Sequence, residues 1–420
     1  MAQRGSGNLW GVCSSSEPTA GACQDLSRGL VMNQAMDGGR RMALRIVLVF
    51  LCILGQSVFA QDWTLAAELN ARRSQHGLPA LAAAVIVEGE IVALEAVGVR
   101  AAGSEQPVSR DDLWHLGSCT KAMTATLCGV LVEEGLLRWD STVGEVFADQ
   151  IDTIHEGWRG VTLAQFLRHR SGLAEDRRPD SLHARLWTLT GPMIDRRRRV
   201  VELAFADAPE VQPGSAMHYS NAGYIIAGAM CERVTGRAWE DLVRERVFAP
   251  LEMGSAGFGP PGNAGRIDQP RAHRRTGDSW TPVEPGPRAD NPAVLAPAGT
   301  VHASLADWAK FVRLHLAGAR GERGLLLKPD SFAAMHEDAD AQSYAMGWGT
   351  PARPWAGGST LTHAGSNTMW FCVVWAAPEK DFAVLVATNC AGDSAPKACD
   401  EVAGAVIRAW QRGDLARRSE

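Results

Sequence analysis

Lysine and tyrosine are scarce in this chain. Of 420 residues 42 are basic, but only five are lysines (Lys121, Lys310, Lys328, Lys380 and Lys397), and arginine supplies the rest. Three tyrosines (Tyr219, Tyr224 and Tyr344) stand against 14 tryptophans and 11 phenylalanines. Ordinary cationic and aromatic positions are therefore filled by other residue types, and each lysine or tyrosine invites scrutiny. A basic excess is also missing: the formal charge of -5 lacks the electrostatic footprint of a protein that grips nucleic acid. No Cys-x-x-Cys or His-Glu-x-x-His occurs, so the usual zinc spacings are absent and neither a metal nor a cofactor is expected. What remains, 46% hydrophobic and 21% charged, is a globular composition.

The first informative segment runs from Arg40 to Ala60. Arg40, Arg41 and Arg45 form a basic region, Ile46 to Leu54 an apolar one, and Val58-x-Ala60 a cleavage site, which together read as an export signal. A spanning helix needs roughly 20 apolar residues, and Gly55, Gln56 and Ser57 interrupt this run, so no stable membrane span is expected after cleavage. The expectation is a periplasmic or secreted protein cut after Ala60, with residues 1–60 outside the folded part. Six cysteines then remain, in a chain long enough to bury a core without disulfides. Cys119 and Cys128 fall on opposite faces of one predicted helix, and Cys390 with Cys399 is the expected pair.

A helix is expected from Trp63 to about His76, then a hairpin of Ala82–Val87 and Ile91–Val99 about Glu88-Gly89-Glu90. Lys121–Val132 is apolar nearly all round, the mark of a buried helix. Residues 141–289 lack convincing strands and read as a helical insertion, with the run Arg196–Arg199 a solvated face. Strands return at Thr368–Ala376 and Phe382–Thr388, and a helix from Lys397 to Gln411 closes the chain. The fold class is therefore α/β of the α+β type: an antiparallel sheet from residues 61–140 and 290–420, flanked by helices, with an all-helical region inserted.

Ser118 and Lys121 place a hydroxyl and an amine one helical turn apart at the mouth of the buried helix. Serine needs a neighbouring base to become nucleophilic. Lysine can be that base if burial and the helix N-terminus favour the free amine, whereas arginine stays protonated. The spacing alone is weak, since Ser394 and Lys397 repeat it where Ser394 reads as a helix cap. Tyr219-Ser220-Asn221 opens a helix from Ala222 to Val234; a phenol near an amine can pass a proton, and an amide can bind both substrate and lysine. The bland alternative is that Ser220 or Asn221 caps that helix. His363-Ala364-Gly365-Ser366 ends a short strand, where glycine permits close approach and the N–H groups of Ser366 and Ser118 could hold an oxyanion.

Ser118-x-x-Lys121, Tyr219-Ser-Asn221 and His363-Ala-Gly365, in that order, resemble the penicillin-recognising serine hydrolases. The branch that the chain resembles holds class C β-lactamases, D-alanyl-D-alanine carboxypeptidases, D-aminopeptidases and esterases. Phe166–Leu173, Pro213-Gly214 and Pro297–Thr300 add to the likeness, which spans about Leu65 to Trp410. The resemblance implies a β-lactamase/DD-peptidase-like fold. It also implies that Ser118 attacks an acyl carbonyl, that Lys121 and Tyr219 handle protons, and that Asn221, His363, Gly365 and Ser366 bind substrate. His363 stands where class C β-lactamases carry lysine, a departure that turns the expected substrate toward peptides, amides or esters. An exported acyl-enzyme hydrolase is the leading reading; a non-catalytic binder of cell-wall peptides or of a protein is the alternative. The unrelated α/β-hydrolases are set aside, because Gly-x-Ser-x-Gly is absent.

Overall fold

In the computed structural model, which describes residues 63–173, 181–323, 326–339 and 343–415, Ala80–Val87 forms strand β1. Ala80, Ala82, Ala84 and Ile86 enter one apolar cluster, and Leu81, Ala83 and Val85 enter another. This two-residue alternation belongs to a strand covered on both faces. The sheet is completed by β2 (Glu90–Gly98), β3 (Leu361–Ser366), β4 (Phe371–Ala377) and β5 (Phe382–Thr388), ordered β3-β4-β5-β1-β2 and antiparallel throughout. Pairing of β1 with β5, from Ala82 opposite Ala387 to Val87 opposite Phe382, joins the two ends of the folded chain. Strand β3 is left at one edge.

The longer helices are α1 (Leu65–Gln75), α2 (Thr120–Glu133), α3 (Met193–Phe205), α4 (Asn221–Thr235), α5 (Leu305–Ala319) and α6 (Ser394–Arg412). Leu65 and Leu69 of α1 and Val402 and Val406 of α6 cover one face of the sheet, against Val384 and Val386. The opposite face opens into a larger core to which α2, α3, α4 and α5 all contribute. Helix α2 is buried from Thr120 to Leu131, as its lack of a polar face requires. Its hydroxyls are satisfied internally: Thr124 Oγ1 donates to Pro297 O at 2.7 Å and Thr126 Oγ1 to Ala122 O at 2.9 Å.

Four expectations change on inspection. Residues 141–289 carry helices but also a hairpin of Ala272–Thr276 and Ser279–Val283. Its exposed arginines and Pro282 conceal it, although Gly277-Asp278 is a two-residue hairpin turn. Cys390 and Cys399 are unbridged, and all six cysteines among the described residues are free and buried. Cys390 Sγ rests 3.3 Å from Thr388 Oγ1. Helix α6 starts at Ser394 itself, and its cap residue is Asp393. The expected export signal lies outside the described residues.

The fourth change concerns the arginine run. Arg196, Arg198 and Arg199 reach solvent, but Arg197 is fully buried. Its guanidinium donates to Glu232 and to Glu240, and its Nε donates to Val294 O at 3.3 Å. Glu232 also accepts from the backbone N–H of Trp239 at 2.9 Å, so the pair ties α3 to the C-terminal part of α4 and to the chain beyond it. Periodicity explains the placement: Arg197 lies three and four residues before Val200 and Val201, on the buried stripe of α3. Arg197→Ala is expected to strand a buried carboxylate and cost about 3–5 kcal/mol in a urea titration, whereas Arg198→Ala should leave the midpoint unchanged.

Candidate active site

The turn before α2 carries the first motif. Gly117–Cys119 forms a 3₁₀ turn, and the residue capping α2 is Cys119, which makes no side-chain cap bond. Ser118 is thus spared from capping, and its Oγ lies 3.0 Å from Lys121 Nζ. The Lys121 side chain is fully buried. Its Nζ donates to Asn221 Oδ1 at 2.8 Å and to the carbonyl of Ala298 at 2.8 Å. Both are acceptors only, so two amine hydrogens are committed to them, and the nitrogen also faces Ser118. Tyr219 and Tyr224 present their rings to the same nitrogen, with centroids at 4.9 and 5.5 Å.

The second motif divides its labour. Ser220 is the cap of α4, its Oγ accepting from the N–H of Gly223 at 3.4 Å. Asn221 is then the first helical residue, and its side chain is free to reach Lys121. Tyr219 is half-buried just ahead, and its ring lies against the His169 ring with centroids 4.2 Å apart. His169 belongs to the Phe166–Leu173 stretch, which carries no role in the sequence reading. It has a left-handed backbone, φ 57°, and grips both neighbours of Tyr219: its carbonyl accepts from His218 N at 2.8 Å and its Nδ1 from Ser220 N at 3.1 Å. A non-glycine residue held in that region costs energy and persists only where its surroundings impose it.

The third motif lies along edge strand β3. A Cβ built on Gly365 would fall 2.0 Å from Leu116 O and 3.0 Å from Ser118 N; one built on Gly117, whose φ is +47°, would fall 2.3 Å from Ser366 N. Only glycine allows this approach, and it sets the amides of Ser118 and Ser366 side by side. The Ser366 hydroxyl is used locally, donating to Trp370 O at 2.8 Å. His363 is buried, with Nδ1 2.7 Å from Ala364 O and Nε2 3.2 Å from Tyr344 Oη. Behind Ser118, the N–H of Gly117 donates to His115 Nδ1 at 3.1 Å, and His115 Nε2 faces the buried carboxylate of Asp290 at 2.8 Å.

Ser118, Lys121, Tyr219, Asn221, His363, Gly365 and Ser366 therefore converge on one locus. His169, Tyr224, Tyr344, His115 and Asp290 join them without having been singled out. The two extra tyrosines carried a signal, since all three tyrosines of the chain meet here. Among the described residues no cluster of His, Cys, Asp or Glu could hold a metal ion, and no helix is long and apolar enough to cross a membrane.

The model of the Beta-lactamase family matches residues 57–407. Penicillin-binding protein 4 of Amycolatopsis lactamdurans is 31% identical over 329 residues, covering 76% of this chain and 83% of that protein. The structure of a class C β-lactamase from Rhodobacter sphaeroides superposes with a TM-score of 0.64 at 20% identity, over 82% of this chain and 99% of that one. The octameric penicillin-binding protein homologue from Pyrococcus abyssi gives 0.65 at 20% identity, over 84% and 78%. With a five-stranded antiparallel sheet packed between helices and a family match across most of its length, the chain belongs to the β-lactamase family of serine hydrolases.

Proposed function

We propose that the protein is an exported acyl-transferring hydrolase that uses Ser118 as nucleophile and takes a peptide, amide or ester. The observation that carries this reading is the setting of Lys121 Nζ. A free amine at that point keeps its two hydrogens on Asn221 Oδ1 and Ala298 O and turns its lone pair to the Ser118 hydroxyl, 3.0 Å away. Proton transfer to Lys121 lets Ser118 Oγ bond to the acyl carbon, and the N–H groups of Ser118 and Ser366 receive the negative oxygen. Collapse of the adduct breaks the bond to the leaving group, which takes its proton from Lys121 by way of the Tyr219 phenol. Water then reverses these steps on the acyl-serine. Asn221, already bound to Lys121, orients the substrate amide, and His363 with Gly365 lines the strand along which the substrate lies.

The substrate class follows from what borders the site. A cleft of about 250 Å³ includes Asn367 and Thr368, just past Ser366, with Arg274 and Arg288 on its wall. The lining also holds Asp290, whose carboxylate is engaged by His115 and Asn367, so the two guanidinium groups favour an acyl donor that also carries a carboxylate, which peptides offer and simple esters do not. Histidine at 363 lacks the fixed ammonium of the β-lactamase lysine, which favours peptides over β-lactams. The export signal at Arg40–Ala60 supports the same outcome, since peptides of the cell wall lie outside the cytoplasm. A purely binding role has no use for a lysine held in this way.

A panel of D-alanyl-D-alanine peptides, D-amino-acid amides, p-nitrophenyl esters and nitrocefin, run beside Ser118→Ala, tests the reading. Turnover of a peptide, amide or ester that disappears in the variant is expected; turnover surviving in Ser118→Ala contradicts it. Lys121→Arg keeps the charge but cannot give up its proton, so acylation should fall by roughly 10²-fold or more in protein whose circular dichroism is unchanged. Near wild-type rates would remove Lys121 from its role as base.

A further inference from the structure

Tyr344 is buried, and its hydroxyl lies between two imidazoles, 3.2 Å from His169 Nε2 and 3.2 Å from His363 Nε2. The direction of each bond follows from the outer ends of this chain. At one end the backbone N–H of Ser220 donates to His169 Nδ1, which therefore carries no proton. Burial holds the His169 imidazole well below its usual range, so it is neutral and its proton sits on Nε2. That N–H donates to Tyr344 Oη. At the other end His363 Nδ1 faces the carbonyl of Ala364 at 2.7 Å, an acceptor only, so Nδ1 holds the proton of His363 and Nε2 accepts. Burial keeps the Tyr344 phenol well above its usual range, so its single hydrogen is present and completes the row by donating to His363 Nε2.

The competing acceptor for that hydrogen is Tyr224 Oη, which also meets Tyr344 and spends its own hydrogen on Leu167 O at 2.6 Å. If Tyr344 donated to Tyr224 instead, a lone pair of its oxygen would face a lone pair of His363 Nε2. Only a second proton on His363 would relieve this. The groups facing the row from neighbouring elements are Lys121 and Cys119 at the start of α2, Tyr219 before α4 and Tyr224 within it.

We propose that Tyr344 is a positioning residue for the acyl-transfer reaction: its hydroxyl donates to His363 Nε2 and so holds the imidazole, whose Nδ1–H bond to Ala364 O sets the backbone of β3 leading to Gly365 and Ser366. The consequence is specific. Without the hydroxyl, His363 keeps its proton on Nδ1, which still faces Ala364 O, but its buried Nε2 lone pair is left without a donor, and the ring that anchors the strand carrying the Ser366 N–H is held at one end only. His169 extends the same row to Tyr219, because the residue that donates to Tyr344 also holds both backbone neighbours of Tyr219. The segment Phe166–Leu173 thereby gains a function, as does the third tyrosine. This inference rests on the reading of Ser366 N–H as an oxyanion donor.

Two measurements test it. In ¹⁵N-histidine spectra of the wild type at neutral pH, with His363 assigned through His363→Asn, His363 is expected to be protonated at Nδ1 alone. Protonation at Nε2, alone or together with Nδ1, overturns the proposal whether or not any variant of Tyr344 folds. In Tyr344→Phe, which keeps the ring, kcat on a substrate turned over by the wild type should fall roughly 10- to 100-fold with KM little changed, and the His363 Nε2 resonance should lose the shift of a hydrogen-bonded acceptor while Nδ1 stays protonated. An unchanged kcat, or a fall in kcat with the His363 Nε2 resonance unmoved, also overturns it, the latter because it leaves Tyr344 a merely structural role. A wild type without turnover strikes the proposed reaction instead, and the tautomer of His363 still decides this inference.

Discussion

The buried amine of Lys121 is the constraint around which the rest of the molecule is arranged. An amine with no exposed surface needs partners in every direction it points, and here three segments far apart in sequence supply them: Ser118 from the turn before α2, Asn221 from the start of α4, and the carbonyl of Ala298. Two of these can only accept, whereas the serine hydroxyl can also give up a proton. The apolar character of α2 is part of the same device, because it excludes the water that would otherwise compete for Lys121. Arginine, the default cation of this chain, is larger, forked and permanently charged, and could neither fit these partners nor act as a base.

A second constraint is steric. The turn at Gly117 and the end of β3 at Gly365 approach so closely that neither position tolerates a side chain. The sheet makes this possible by leaving β3 at its edge, open toward α2. Behind the turn, His115 receives the N–H of Gly117 and faces Asp290, which also lines the cleft, so the turn that carries Ser118 is braced. Histidine in place of lysine at 363 fits the same arrangement: both of its ring nitrogens are engaged by oxygen atoms within the protein, which suits a residue that shapes β3.

Features written as local patterns were legible in the sequence. The alternation along Ala82–Val87, the apolar round of α2 and the three ordered motifs each sit within a few residues, and they located the sheet, the buried helix and seven residues that the fold brings together. Features that depend on which distant element lies opposite were not legible. Arg197 looks like its exposed neighbours until Glu232 and Glu240 are placed against it. Cys119 and Cys128 were rightly kept apart, but the sulfurs nearest them, Cys372 and Cys231 at 3.6 Å each, come from β4 and α4. Tyr344 and His169 meet across 175 positions of sequence and follow no motif, although the rarity of tyrosine pointed to the former.

Reaction of the folded protein with a fluorophosphonate, followed by intact mass and peptide mapping, tests the central claim most directly. The account predicts a single adduct, carried by the peptide that contains Ser118, because among the described residues this hydroxyl has a buried amine aligned to take its proton and two amides placed for the oxyanion. An adduct on another serine, or no adduct on protein that retains its native circular dichroism, would contradict it.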